Sequence, residues 1–247
     1  MAATLPSSRD RGGIFANFPV HFAECQKLRK PVFTPNLQTL PPAQQTLWSE
    51  LESLPPEFVL YGGTAIALHL GHRESVDFDF FGNRDFNPAE LYAHVPFLAG
   101  SEILQQEKNT LTCRVQRGEP VKVSFFGLPR LKRIESPVTA LDNGLKIASL
   151  LDLAGMKAAV VQQRAEAKDY LDLDSLIQHG ISLPLAIAAA AAIYGEAFNP
   201  QITLKALCFF EDGNVRTLPE AVKQRLAHAV AETDLDCLPS LSARVFE

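Results

Sequence analysis

Residues 62 to 79 hold a dense set of side chains able to do chemistry: Gly62-Gly63-Thr64, then Arg73-Glu74-Ser75-Val76-Asp77-Phe78-Asp79. Two glycines after a short apolar run let the backbone approach a ligand closely, because no Cβ stands in the way. A helix opening at Thr64 would present free N–H groups and a partial positive charge, an anion site suited to the phosphates of a nucleotide. Thr64 could add a hydroxyl donor there. Asp77 and Asp79 are two apart on an alternating segment, so their side chains share one face of a strand, with Cα atoms about 6.6–6.8 Å apart. Two carboxylates at that spacing suit a hard cation, and Mg²⁺ is the usual partner of a triphosphate. Arg73 and Ser75 stand just upstream, within reach of phosphate oxygens.

Each piece alone has a plainer explanation. Gly-Gly-Thr is a common turn, and an Asp-x-Asp pair on an alternating strand is commonly a solvated face. A glycine turn, a short helix and two same-face carboxylates within 18 residues are harder to explain separately. Together they point to a metal and a nucleoside triphosphate.

The elements that must position these groups follow from local pattern. Phe58–Tyr61 reads as a buried strand closed by Gly62-Gly63. Residues 64–70 read as a short helix, with Thr64 as candidate N-cap and Gly71 as its stop. Residues 76–81 alternate Asp with Phe, a second strand whose Val76, Phe78 and Phe80 face the core. Ahead of them, Leu47, Trp48, Leu51 and Leu54 recur at helical spacing over residues 43–54 until Pro55-Pro56. Pro88–His94 suggests a helix. Residues 101–107, 110–116 and 121–126 read as a β-meander with turns at Lys108-Asn109 and Arg117-Gly118-Glu119. Residues 127–137 form a basic loop. Helices are then expected at about 145–163, 168–178, 184–194, 200–209 and 219–230. The alanines of 186–192 imply tight helix packing. The reading is an α+β fold in three parts: an N-terminal arm (1–42, with a little helix around His21 to Leu28), an α+β core with a small mixed sheet and flanking helices (43–142), and a helical C-terminal part (143–247).

Composition sets outer limits. At 247 residues, 47% apolar and 21% charged, the chain suits a folded globular protein rather than a disordered one. The longest apolar run, Leu183 to Tyr194, contains Pro184 and is too short for a bilayer, which takes about 20 residues. No secretory signal is visible near Met1, so a cytoplasmic location is expected. Cys25, Cys113, Cys208 and Cys237 form no CxxC pair, and His69 and His72 lack further ligands nearby, which argues against structural zinc. Net charge is −5, yet residues 101–168 hold 11 Lys/Arg against 7 Asp/Glu. That basic middle is compatible with a nucleic-acid or phosphate face, and equally with chance.

The segment V-L-Y-G-G-T-A-I-A-L-H-L-G-H-R-E-S-V-D-F-D-F-F resembles the nucleotidyltransferase superfamily, whose signature is G-G-[ST] followed by D-x-D. More narrowly it is similar to the AbiEii/AbiGii toxin branch, many members of which belong to toxin–antitoxin or phage-defence systems. Lys157 through Leu173, K-A-A-V-V-Q-Q-R-A-E-A-K-D-Y-L-D-L, is similar to a helical motif of that branch. The resemblance implies that Gly62, Gly63 and Thr64 hold phosphates and that Asp77 and Asp79 hold Mg²⁺. It matches Arg73 and Ser75 to a pair preceding the aspartates. It further implies that Lys157 contacts the triphosphate and that Asp169 completes the site. An ordinary charged helix face, with Asp169 and Asp172 one turn apart, would explain the second motif alone.

One departure stands out. The superfamily places a third carboxylate on a later strand as base for the attacking hydroxyl, and Ser124 occupies that position in Val121–Phe126. Glu119, Asp169, substrate, or a pair of Mg²⁺ ions would then have to assist deprotonation. Three functions remain open. The first is NMP transfer from an NTP to an acceptor hydroxyl on RNA, particularly a tRNA end, or on protein, as a toxin with a cognate antitoxin. The second is a degenerate nucleotide- or partner-binding protein. The third is a small-molecule nucleotidyltransferase of the antibiotic-modifying kind.

Overall fold

The sheet that carries the Asp77–Asp79 strand takes its eight strands out of chain order. The structure is a computed structural model that describes residues 32–245 together with Met1. The helix expected around His21 to Leu28 lies outside the described residues. Strands are β1 (Val32–Phe33), β2 (Phe58–Tyr61), β3 (Asp77–Gly82), β4 (Glu102–Glu107), β5 (Thr110–Arg117), β6 (Glu119–Gly127), β7 (Lys132–Arg133), β8 (Val138–Ala140), β9 (Lys146–Ile147) and β10 (Arg244–Val245). The large sheet runs β1-β8-β9-β2-β3-β6-β5-β4, and β7 pairs with β10 apart from it. It is mixed: β2–β3 and the β4–β5–β6 meander are antiparallel, whereas β3–β6, β2–β9 and β1–β8 are parallel. The sheet therefore draws β1 from the segment read as an arm and β9 from beyond residue 142.

The helices are α1 (Pro42–Trp48), α2 (Gly62–Leu70), α3 (Pro88–His94), α4 (Leu150–Val160), α5 (Ala167–Gln178), α6 (Leu183–Tyr194), α7 (Pro200–Ala206) and α8 (Glu220–Ala231). Four of these helices, α3, α4, α6 and α7, start at a side-chain cap. Asn87 accepts from the Ala89 N–H at 3.0 Å ahead of α3, and Ser149 accepts from the Asp152 N–H at 3.0 Å ahead of α4. The Ser149 cap places the start of α4 five residues later than the apolar pattern suggested, because Lys146–Ile147 pairs into the sheet first. Gly71 ends α2 in the left-handed region, φ 68°, with its N–H on the Ala67 carbonyl at 2.8 Å.

One side of the core lies between α1 and one sheet face, and the same cluster continues through α2, α4, α5 and α6. Phe78 and Phe80 of β3 are fully buried there, Phe80 stacks on Phe125 at 5.3 Å, and Trp48 of α1 meets Phe78 at 6.4 Å. The opposite face carries Asp77 and Asp79 and looks toward α2 and α4. Behind α4 the alanine-rich α6 packs so closely that a Cβ on Gly155 would come within 2.9 Å of the Ala189 backbone. Small residues on both helices allow this approach, which seats α4 against the site. No single helix among the described residues is long and apolar enough to cross a membrane.

Candidate active site

Gly62 has φ +73°, a backbone state that glycine adopts without strain, and helix α2 begins there rather than at Thr64. The N-cap position is Tyr61, and no side chain caps the helix. Thr64 is therefore not the cap that its sequence position suggested. Its hydroxyl is buried and hydrogen-bonds to the Ser75 hydroxyl at 2.7 Å and to the Asp77 carbonyl. These two hydroxyls tie α2 to the segment entering β3, which fixes where Asp77 starts. The uncapped first turn of α2 leaves its N–H groups facing a cavity of about 580 Å³, lined by Gly62, Gly63 and Thr64.

The glycines also serve the protein's own side chains. A Cβ on Gly62 would lie 3.1 Å from Asp79 Oδ2, and one on Gly63 would lie 2.3 Å from Arg73 Nη2. Their absence allows a carboxylate and a guanidinium to close on the start of the helix from either side.

Along β3 burial alternates, so Asp77, Asp79 and Phe81 share the cavity face. The parallel pairing with β6 sets Lys122 opposite Asp77, Ser124 opposite Asp79 and Phe126 opposite Phe81. The floor thus runs from charged to polar to aromatic, with Phe81 and Phe126 meeting edge-on at 5.4 Å. Lys122 Nζ is 3.3 Å from Asp77 Oδ2. Burial pushes the Asp79 carboxyl up from its ordinary value; the charge of Lys122 and a hydrogen bond from Ser124 oppose this, and the charge of Asp77 adds to it. A carboxylate so placed gains from a cation. The donors fit Mg²⁺: two hard oxygen ligands on one strand, beside the uncapped start of α2. Among the described residues no group of three or more His, Cys, Asp or Glu gathers to enclose a metal. A cation here would share its coordination with oxygens of a ligand. Ser124 and its neighbour in the sheet, Thr112, both line the cavity, whereas Glu119 does not.

The opposite wall comes from α4 and α5. Lys157 is buried and lines the cavity, its Nζ 2.6 Å from Asp169 Oδ1 and 2.7 Å from Asp172 Oδ2. Asp169 is fully buried and does not line the cavity; Arg164 donates to both its oxygens at 2.7 and 3.2 Å. Asp169 thus serves Lys157 and Arg164 directly and the cavity only through them. Asp172 accepts from Arg73 Nε at 2.6 Å and Nη2 at 2.9 Å and lies 2.8 Å from His72 Nε2. Burial alone would raise the Asp172 carboxyl, but His72, Arg73 and Lys157 together hold it far below the carboxylate range.

The structure brings Gly62, Gly63, Thr64, Arg73, Ser75, Asp77, Asp79 and Lys157 around one cavity. Sequence reading left out Lys122 and the role of Asp172. Period-two alternation along β6 puts Lys122 on the same face as Ser124, the position the family resemblance singled out. The one-turn spacing from Asp169 marks Asp172 as the second ligand of Lys157.

Comparison with known proteins bears on this arrangement. Residues 46–243 match the family described as Nucleotidyl transferase AbiEii toxin, Type IV TA system. Over 159 residues the chain is 35% identical to an uncharacterised protein of Aquifex aeolicus (strain VF5), covering 63% of this chain and 75% of that protein. Among solved structures it is similar to MenT4, a nucleotidyltransferase toxin from Mycobacterium tuberculosis H37Rv. The TM-score is 0.54 at 17% identity, over 78% of this chain and 83% of that one, a likeness of fold.

Proposed function

The chain belongs to the AbiEii nucleotidyltransferase toxin family, and from that premise we propose that it moves a nucleoside monophosphate from an NTP to an acceptor hydroxyl. The observation that carries this reading is the meeting of Asp77 and Asp79 with the uncapped start of α2 around one cavity. In the reaction the acceptor oxygen bonds to the α-phosphorus, the bond from that phosphorus to the β-phosphate oxygen breaks, and pyrophosphate leaves.

Each side chain has a part in this. The first-turn N–H groups of α2 at Gly62–Thr64 hold phosphate oxygens. Lys157 has two of its three N–H groups on Asp169 and Asp172, which leaves one for a phosphate. Arg73 flanks the same cradle with its fork already fixed by Asp172. Ser75 and Thr64 act from behind by holding Asp77 in place. Asp77 and Asp79 would hold Mg²⁺, which supplies neutralisation of phosphate charge when bound. Because these groups are fixed before substrate arrives, the reaction needs little reorganisation of the site.

RNA, in particular a tRNA end, is the acceptor class this reading favours, with a protein hydroxyl as the other. A toxin of this kind acts in the cytosol and pairs with a cognate antitoxin protein. The test is label transfer from α-labelled NTP to RNA: Asp77→Ala should abolish it, and undiminished transfer would remove these aspartates from the reaction. Ser124, standing where a third carboxylate is expected, favours a second reading in which nucleotide binds without turnover. Calorimetric NTP binding with no transfer to any acceptor would support that one.

A further inference from the structure

Lys122 and Ser124 alternate on β6 and reach the two carboxylates of β3 from the side. Lys122 Nζ stands 3.3 Å from Asp77 Oδ2, and Ser124 stands opposite Asp79 in the register. Asp77 therefore already meets a cation within the sheet, and Asp79 meets a neutral hydroxyl position. The row continues from Ser124 to Thr112 and Gln105, both neutral and both lining the cavity. A pair of divalent cations about 3.5–4 Å apart needs carboxylates enough to ligate both. Here the ligand set is two aspartates, and an ammonium already stands beside one of them. A second dication at that place would meet the charge of Lys122, and the further carboxylate that lines the cavity, Glu74, lies ahead of β3 rather than on the strand face with Asp77 and Asp79.

We infer that Lys122 supplies the positive charge that a second divalent cation would otherwise bring, so that the nucleotide-bound protein takes up one divalent cation per chain. This rests on the nucleotidyltransferase reading. Lys122 suits the part because its side chain is 46% exposed and lines the cavity. Its flexible four-carbon stem lets the ammonium turn from Asp77 toward a phosphate oxygen. A lysine that served only as a surface ion pair would contribute little and would not alter how many cations bind.

The test counts metal. The full chain is equilibrated by gel filtration in Mn²⁺ and an α,β-methylene NTP analogue, and manganese and nucleotide in the protein peak are measured separately. One Mn²⁺ per bound nucleotide is expected for the wild type, and two for Lys122→Asp, which removes the ammonium and adds a carboxylate. Lys122→Gln, whose fold is checked by circular dichroism, should keep a count of one and lose transfer by about a hundredfold. Two Mn²⁺ per nucleotide in the wild type would overturn the inference and leave the nucleotidyltransferase reading standing. A count of one in Lys122→Asp, or full transfer by Lys122→Gln, would also overturn the inference alone. No uptake of nucleotide and Mn²⁺ by the wild type would overturn both.

Discussion

The Arg73 guanidinium lies across Gly63 because Asp172 holds it there, with Nε 2.6 Å from Oδ1 and Nη2 2.9 Å from Oδ2. The paired fork fixes orientation as well as distance. It connects the start of α2 to α5, and through Asp172 to Lys157 on α4. Three helices thus meet at one buried carboxylate, and the walls of the cavity keep their spacing through it.

Gly63→Ala should break this contact. Its Cβ would sit 2.3 Å from Arg73 Nη2 and 3.4 Å from Asp172 Oδ2. The guanidinium is the end of a flexible side chain, but leaving would strand a fully buried carboxylate with one partner fewer. The expected loss is about 1–3 kcal/mol of stability, read as a melting temperature lower by several degrees. Label transfer should fall with it, since Arg73 and the α2 start lose their shared geometry. A variant that melts with the wild type would show that Arg73 relaxes freely.

Acid should unfold the protein through the same carboxylates. Burial would raise Asp172 and Asp169, but their cationic partners hold both below the ordinary value. When a folded carboxyl is depressed, the unfolded chain takes up its proton first as pH falls. The stabilisation is complete above the unfolded pKa of about 3.9 and is lost from there downward. The urea midpoint from this cause should be flat at neutral pH and decline below about pH 4. Asp172→Asn should lower stability at pH 7 and flatten the acid decline. An equally steep decline in that variant would place the acid-sensitive groups elsewhere.

Gly155→Ala tests the packing that seats Lys157. Alanine is the better helix former by about 1 kcal/mol. Its Cβ, however, would meet the Ala189 carbonyl carbon and the Ala190 nitrogen at 2.9 Å, and backbone atoms cannot rotate aside. Pushing α4 from α6 should cost about 1–3 kcal/mol net and move Lys157 off the cradle. Thermal unfolding and transfer should both decline; a gain in melting temperature would mean that the two helices have slack.

The parts of this site legible in the sequence are those set by neighbours in the chain. The alternation of Asp77–Phe81 and the stop at Gly71 depend on period and on backbone freedom alone. Phe58–Tyr61 and Pro88–His94 match the strand and helix boundaries expected for the same reason. What stayed hidden depends on register between distant segments. Thr64 looked like a cap because nothing local reveals Ser75 and the Asp77 carbonyl as its partners. Two-residue strands such as β1 and β9 have no period to detect and exist only through their pairings. Asp169 and Asp172 look alike on the helix, yet the fold sends the former behind Lys157 and the latter to Arg73 and His72.

Ser124→Ala separates support from chemistry at the position where a carboxylate was expected. Ser124 stands opposite Asp79, whose carboxyl is raised by burial and drawn back in part by the Ser124 hydroxyl, so its loss should perturb the carboxylate modestly. A serine does not act as a general base at neutral pH, and removing a true base costs about a hundred- to ten-thousandfold in rate. If Ser124 only orients Asp79, the alanine variant should retain transfer within about tenfold of the wild type. Ser124→Asp adds a like charge beside Asp79, which should lower the melting temperature without metal and recover it when Mn²⁺ is added. A hundredfold loss in Ser124→Ala, with melting unchanged, would put this hydroxyl among the reacting groups and require a different account of how the acceptor loses its proton.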